Sequence, residues 1–250
     1  MQWAWRKIHI VPRRIWIPVA GAVALMLLGG AGAFAYFFSG LRSTPPALSL
    51  ATPSASASAS PSASANAGTG SWSIASGSLV GYRVNEQFVG QSSSHQAVAR
   101  TSDVTGKMVI ARSGTTYELT SAAITVQLAN LASVDSVAGY NVTNRDRIVQ
   151  QSLDVRSFPT ATLTAQSVAL PAGADSGQAV TVSVPAQLTV HGVTKSVTAT
   201  IQLRVTGSTA QVAGTITTNM TDFGVSPPTI GFTTVQPAVT IEFSLNLTQG

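Results

Sequence analysis

Residues 180–205 read VTVSVPAQLTVHGVTKSVTATIQLRV, and their alternation decides the fold of this chain. In the first arm, residues 180–190, apolar and polar residues alternate, which is the period of two that lets a strand bury one face. The alternation resumes in the second arm, residues 197–205, after a short polar stretch that contains Gly192. Glycine suits a tight turn because it tolerates a positive φ. The two arms therefore predict a β-hairpin with one apolar face.

The same alternation recurs along residues 71–250, in segments separated by loops that contain glycine or proline. These segments are residues 80–84, 108–110, 122–128, 161–165, 210–216 and 239–247. Together with the hairpin they predict about eight strands, and no stretch resembles the helical crossovers that parallel strands require. An antiparallel set with one apolar face closes as a barrel or stacks as a sandwich, and the alternation fits both.

One segment, residues 141–153 with the sequence NVTNRDRIVQQSL, breaks the alternation. Thr143 is followed three residues later by Asp146, which is the spacing of a capping box, and the apolar residues after it share one helical face. The segment predicts a short helix across one end of the all-β domain.

The basic residues are unevenly distributed along the chain. Five of the fourteen flank the first apolar run, four within residues 1–14 and one at Arg42. The other nine lie in residues 71–250 together with all nine acidic residues, so that part has no net charge. A nucleic-acid-binding domain would carry a basic patch, and we therefore expect no nucleic acid partner.

An apolar run of 24 residues, 15–38, contains no charged side chain. As a helix it would be about 36 Å long, enough to cross a hydrocarbon core of roughly 30 Å. The basic residues that precede it predict a cytoplasmic segment at residues 1–14 and a single-pass anchor in the cytoplasmic membrane, with the rest of the chain outside, in the cell envelope. The alternative is a cleaved signal peptide, because Ala33-Phe34-Ala35 resembles a cleavage site.

Residues 39–70 are rich in alanine, serine and proline and have almost nothing to bury, which predicts a disordered linker. The remaining residues, 71–250, are enough for one domain with a sizeable core.

The composition argues against most kinds of catalytic site. The chain has no cysteine, no G-x-S-x-G motif, and only His95 and His191 in residues 71–250. Acidic residues are scattered rather than clustered as metal ligands. We therefore expect no enzyme activity, no metal and no cofactor.

Three polar residues allow two interpretations each. His191 lies in the hairpin turn, where it either contacts a ligand head group or hydrogen-bonds the neighbouring backbone. Arg145 and Asp146 lie in the predicted helix, where they either help to bind an anionic head group or form ion pairs that attach the helix to the sheet.

Several motifs occur in the order seen in one known family. They are Trp72-Ser73-Ile74, Asn144-Arg145-Asp146, residues 157–163 (SFPTATL), residues 188–195 (LTVHGVTK) and residues 221–225 (TDFGV). In this combination the chain resembles the YceI-like family of lipid-binding proteins over nearly all of residues 71–250. Residues 82–86 with Gly90, followed by residues 99–101 and 104–106, are similar to the variety found in actinobacteria. Many members have a His-Ser pair where this chain has Gly77-Ser78.

The resemblance implies an extended, lipocalin-like, eight-stranded antiparallel β-barrel that holds a polyisoprenoid or another amphiphilic lipid and catalyses no reaction. The apolar face derived above would then line the pocket. The expected lining residues are Tyr82, Val84, Ile124, Val126, Leu163, Val184, Ala186, Leu188, Ala199, Ile201, Ile241 and Phe243.

Two hypotheses follow for the function. The first is a membrane-tethered protein that binds an isoprenoid or other long-chain lipid outside the cytoplasmic membrane. The second is a structural or interaction domain of the cell envelope whose barrel is filled by its own side chains. Small inward residues leave room for a ligand and favour the first hypothesis; they are Ala161, Ala165, Ala186, Ala199 and Gly214.

Overall fold

The computed structural model describes residues 42–52, 69–90, 94–137, 141–230 and 233–250. The predicted cytoplasmic segment, the predicted anchor and residues 39–41 and 53–68 of the predicted linker lie outside this part of the chain. Within the described ranges, no helix has both the length and the apolar character that a membrane span needs.

The described residues form an antiparallel β structure with one α-helix. The strands are β1 (Arg42–Ser43), β2 (Gly70–Ile74), β3 (Leu79–Phe88), β4 (His95–Thr101), β5 (Val104–Ser113), β6 (Thr116–Gln127), β7 (Ala132–Ser133), β8 (Ser136–Val137), β9 (Thr160–Ala169), β10 (Val180–Val190), β11 (Val193–Thr206), β12 (Thr209–Asn219), β13 (Thr229–Ile230) and β14 (Thr233–Gln249). The helix α1 (Val142–Ser152) lies between β8 and β9, and a short 3₁₀ turn, Met220–Phe223, follows β12.

The strands close into a barrel of eight antiparallel walls. β14 pairs with both β2 and β3, so these two strands follow one another along one wall. β2 pairs with β5 and β3 pairs with β4, so β4 and β5 follow one another along the next wall. The remaining walls are β6, β9, β10, β11, β12 and β14, and pairing of β12 with β14 closes the ring. The prediction of an all-β, eight-stranded antiparallel barrel with a short helix is confirmed, and the sandwich alternative is excluded.

The hairpin that predicted the fold has a turn of only two residues. Val190 pairs with Val193, so His191 and Gly192 alone connect β10 to β11. Their φ angles are 52° and 73°, the positive values that a type I′ turn requires. A Cβ on Gly192 would lie 2.6 Å from a ring carbon of Phe158, so the glycine is needed for space as well as for conformation.

Strand β4 was not predicted, because its sequence does not alternate. Ala97, Val98 and Ala99 are all buried, with exposed fractions of 0%, 0% and 1%. The outward Val98 is therefore as fully buried as its inward neighbours, and its carbonyl accepts a hydrogen bond from the Val134 amide of the segment that runs alongside β4. A strand covered on both faces loses the polar positions that reveal a period of two.

Helix α1 begins differently from the prediction. The N-cap is Asn141, whose side chain accepts a hydrogen bond from the Thr143 amide at 3.0 Å. Asp146 does not complete a capping box; its carboxylate accepts hydrogen bonds from the Ser133 amide and hydroxyl at 2.9 and 2.6 Å. The helix is thereby attached to β7.

Residues 42–52, which the sequence places in a linker, lie along the outer wall of the barrel. We call this segment the N-terminal strap. Its carbonyl at Pro46 accepts hydrogen bonds from Arg83 and Arg100, and its amide at Leu48 donates one to Glu242. Both arginines also pair with Glu242, which is fully buried. The backbone of the strap thus forms hydrogen bonds with charged side chains that would otherwise be exposed on the outer wall of the barrel.

Candidate functional site

The barrel interior contains an apolar cavity of about 220 Å³, here called the main cavity. Its walls come from strands β3, β6, β9, β10, β12 and β14, and helix α1 lies against one end of it. For comparison, an engineered apolar cavity of roughly 150 Å³ stays dry and binds benzene. The main cavity is therefore large enough to take up an apolar group.

A smaller cavity of about 60 Å³ lies in the same barrel and has an apolar lining that includes Trp72, Met108 and Leu203. Four side chains line both cavities and separate them; we call them the apolar divider. They are Ile124, Leu163, Phe243 and Leu245.

The structure brings most of the predicted lining residues to the main cavity. Those that line it are Tyr82, Val84, Ile124, Val126, Leu163, Leu188, Ile241 and Phe243. Val184, Ala199 and Ile201 line only the smaller cavity. Ala186 is buried in the same core but lines neither cavity.

The small inward residues have different surroundings. Ala161 lines the main cavity, and Ala165 lines the smaller one. Gly214 leaves room for the divider, because a Cβ there would lie 2.9 Å from the ring tip of Phe243 and 2.4 Å from a backbone oxygen of the neighbouring strand.

Several lining residues were missed because they do not belong to strands. Helix α1 and the residue after it contribute Ile148, Val149 and Leu153, and the turn after β12 contributes Phe223 and Val225. The helical residues carry a recognisable signal, since their spacing marks the apolar face of α1. The turn residues carry no periodic signal.

A cluster of charged side chains lies at the end of the barrel next to α1, and we call it the buried ion cluster. Arg145 donates to Glu86 Oε2 at 2.9 Å through Nη2, and to Asp135 Oδ1 and Oδ2 at 2.8 and 2.9 Å through Nη1. Asp135 also contacts His95 Nε2 at 2.7 Å. Arg145 and Glu86 line the main cavity, whereas Asp135 and His95 lie behind them.

Burial and pairing act on these groups in opposite directions. Burial raises the pKa of Glu86 more than the charge and hydrogen bond of Arg145 lower it. Burial also acts to raise the pKa of Asp135, but hydrogen bonds from His95 and the Val98 amide, together with Arg145, bring that pKa below its usual value. The pKa of Arg145 is raised, because its two carboxylate partners outweigh the effect of burial.

Tyr82 lies beside this cluster on β3. Burial raises the pKa of its phenol, and the nearby Glu86 carboxylate acts in the same direction while Arg145 opposes it. The ring lines the main cavity, so we expect the phenol to stay protonated there.

The other two polar candidates do not line either cavity. Asp146 bonds Ser133, as described above. His191 Nδ1 lies 3.2 Å from the Phe223 carbonyl oxygen, and its ring meets Phe158 edge-on at a centroid distance of 4.9 Å. The arginine of the predicted helix–sheet ion pair is Arg145, but its partners are Glu86 and Asp135 rather than Asp146.

Among the described residues, no three acidic, histidine or cysteine side chains are grouped as metal ligands.

Gly77 and Ser78 lie in the break between β2 and β3. Gly77 has a φ of 80°, and Ser78 donates to the Ala75 carbonyl at 2.8 Å and accepts from the Asn246 amide at 3.0 Å. These contacts fix the bend between the two strands, and neither residue lines a cavity.

Comparison with known proteins gives one family match and several similar folds. The model of the YceI-like domain matches residues 74–247. A solved polyisoprenoid binding domain from Saccharophagus degradans is 14% identical, with a TM-score of 0.50 over 72% of this chain and 98% of that one. BcnA of Burkholderia cenocepacia is 18% identical, with a TM-score of 0.45 over 66% of this chain and 95% of its own. A YCEI protein of Campylobacter jejuni is 15% identical, with a TM-score of 0.36 over 64% and 83%. No curated protein matches the chain.

Proposed function

The chain belongs to the family of YceI-like domains, and from this we propose that it is a binding protein that takes an isoprenoid-type lipid into its barrel. The observation that carries the proposal is the main cavity, which has apolar walls and charged groups at only one end. An amphiphile has the same division, with a long apolar part and a small polar head. Among the described residues that line the main cavity, none is arranged to bind a cofactor, and we propose no catalysed reaction.

The comparison with solved structures supports this choice of ligand class. The domain from Saccharophagus degradans is described as polyisoprenoid binding, and it shares the fold of this chain at low sequence identity. The apolar chemistry of the main cavity in this chain fits such a ligand.

We also propose that residues 15–38 hold the domain at the outer face of the cytoplasmic membrane. The support is the 24-residue run without charge and the basic residues before it. A lipid ligand partitions into the bilayer, so a barrel held close to the surface would meet it at a high effective concentration.

One observation favours the second hypothesis, an envelope domain with a filled barrel. The main cavity, at about 220 Å³, is smaller than the roughly 300–1,000 Å³ of most small-molecule sites. A long lipid would therefore need side chains to move or would extend out of the barrel.

Native mass spectrometry of the full chain, extracted from membranes in mild detergent, separates the two hypotheses. We expect a co-purifying lipid of isoprenoid composition. Ala161→Phe fills the main cavity and should abolish the bound species, whereas Ala123→Phe, on the exposed face of β6, should not. An empty protein in repeated preparations, or equal lipid occupancy in both variants, would contradict lipid binding in the barrel.

A further inference from the structure

The charged groups that line the main cavity lie at one end, and a buried threonine lines the cavity near them. Glu86 and Thr233 come from the paired strands β3 and β14, and Arg145 reaches the cavity from α1. Val235 lies opposite Glu86, and Thr233 lies opposite Phe88. Glu86 and Thr233 are therefore diagonal neighbours on the inner face. The Cα atoms of such neighbours are roughly 7–8 Å apart, which is within reach of a long side chain such as that of Glu86.

Thr233 has an unused hydrogen-bonding group. The residue is 6% exposed, and its Oγ1 has no hydrogen-bond partner among the described residues. A buried hydroxyl is normally hydrogen-bonded, so this one, at the wall of a cavity, is available to a water or to a polar atom of a ligand. The hydroxyl can both donate and accept.

Arg145 is occupied by carboxylates of the protein. Its Nη1 and Nη2 donate to Asp135 and Glu86, so one guanidinium already serves two acidic groups. It is the only cationic side chain among the described residues that line the main cavity. The single positive charge of Arg145 is thus shared between two carboxylates of the protein.

An anionic head group would therefore be removed from water without a cation to compensate it, which is costly in a buried site. A hydroxyl meets no such penalty. It can accept a hydrogen bond from Thr233 Oγ1 and donate one to Glu86 Oε1, the carboxylate oxygen that the bond from Arg145 leaves as a further acceptor.

We propose that this end of the barrel is a head-group site for an uncharged hydroxyl, formed by Thr233 and Glu86, and that the protein selects isoprenoid alcohols over their diphosphates. The inference rests on the proposed lipid-binding function and defines its ligand further. Arg145 takes part as a positioning residue, because it holds the Glu86 carboxylate in place. The two carboxylate partners of Arg145 argue against the sequence-based alternative in which it binds an anionic head group.

The test compares three probes of equal chain length on the full chain in detergent, with native mass spectrometry as the readout. The probes are farnesol, farnesyl diphosphate and farnesane, which carry a hydroxyl, a diphosphate and no head group. We expect farnesol to bind more tightly than either of the others. Thr233→Val should weaken farnesol binding about fivefold, the effect of one ordinary hydrogen bond, and leave farnesane binding unchanged.

Two further variants show whether the hydroxyl itself is responsible. Thr233→Ser keeps the hydroxyl and should retain most of the farnesol affinity. Thr234→Val makes the same substitution at the adjacent, exposed residue of β14 and should have no effect.

The possible failures are distinguishable. If farnesyl diphosphate binds as tightly as farnesol, or if Thr233→Val leaves farnesol binding unchanged, the head-group assignment is wrong while lipid binding stands. If none of the three probes binds, the proposed function is wrong and the head-group assignment falls with it.

Discussion

At the scale of single residues, the structure separates positions that alternation predicts from positions that depend on distant partners. Leu163 and Ile241 could be assigned to the cavity because the two faces of a strand follow directly from the sequence. Asp135 and Thr233 could not, since their importance comes from Arg145 of the helix and from the shape of the cavity. No local pattern marks either residue.

Asp135 should make the stability of the domain depend on acid pH. Its pKa in the folded protein is below the usual value, so its contribution is present above about pH 4 and is lost as the pH falls through the folded pKa. Glu86 has a raised pKa, so its contribution has the opposite sign: it is present below about pH 4 and is lost as the pH rises through its folded pKa. Asp135→Asn removes the first effect and also weakens the second, because the Asp135 charge is one of the causes that raise the pKa of Glu86.

We therefore expect the free energy of unfolding to fall less steeply below about pH 4 in Asp135→Asn than in the unmodified protein, as measured by urea denaturation at a series of pH values. Asp222→Asn, which removes an exposed carboxylate, is the control and should keep the original slope. Parallel curves for Asp135→Asn and the unmodified protein would show that this group does not have the depressed pKa described above.

At the scale of elements, alternation identified the strands that have one face on the core and failed for those covered on both. The hairpin of β10 and β11 is the clear success, since its two arms pair along their whole length. Strand β4 is the failure, because its outward Val98 is as completely buried as its inward neighbours. The strap itself has the composition of a linker, and its contacts with the barrel, which include pairing of β1 with β8 and hydrogen bonds to charged side chains, could not be predicted from that composition.

The turn of this hairpin gives a test at the same scale. Gly192→Ala places a Cβ at a φ of 73° and against the ring of Phe158, whereas Gly207→Ala places one at a φ of 60° with open space around it. Both changes carry the cost of a left-handed alanine, about 1–2 kcal/mol. We expect Gly192→Ala to lower the free energy of unfolding further, because it adds a clash. Equal losses in thermal or urea denaturation would mean that Phe158 moves away freely.

At the scale of the whole molecule, the closed barrel combines an apolar interior, a polar end at α1 and a strap that leads toward the N-terminal segment of the chain. Alternation and the family resemblance were sufficient to predict a barrel with an apolar interior. They did not predict that the interior is divided in two, because the separation by Phe243 and Leu245 depends on packing between walls that are far apart in sequence.

The apolar divider should limit the length of ligand that the barrel accepts. Phe243→Ala removes a side chain that lines both cavities and should join them, so that the preferred isoprenoid alcohol becomes longer. Phe223→Ala enlarges only the main cavity and is the matched control. Each substitution should cost about 3–5 kcal/mol of stability. Native mass spectrometry with prenyl alcohols of increasing length would detect the shift, and an unchanged preference in Phe243→Ala would show that the divider does not set ligand length.

On the proposed function, lipid is bound inside the barrel rather than by the apolar N-terminal run or by the outer surface. A photoreactive farnesol analogue, cross-linked to the full chain and located by peptide mass spectrometry, distinguishes these sites. We expect labels on residues that line the main cavity, such as Leu163, Leu188 and Ile241, and their loss when unlabelled farnesol is added in excess. Labels confined to residues 15–38 or to exposed strand faces, unaffected by the competitor, would contradict binding inside the barrel.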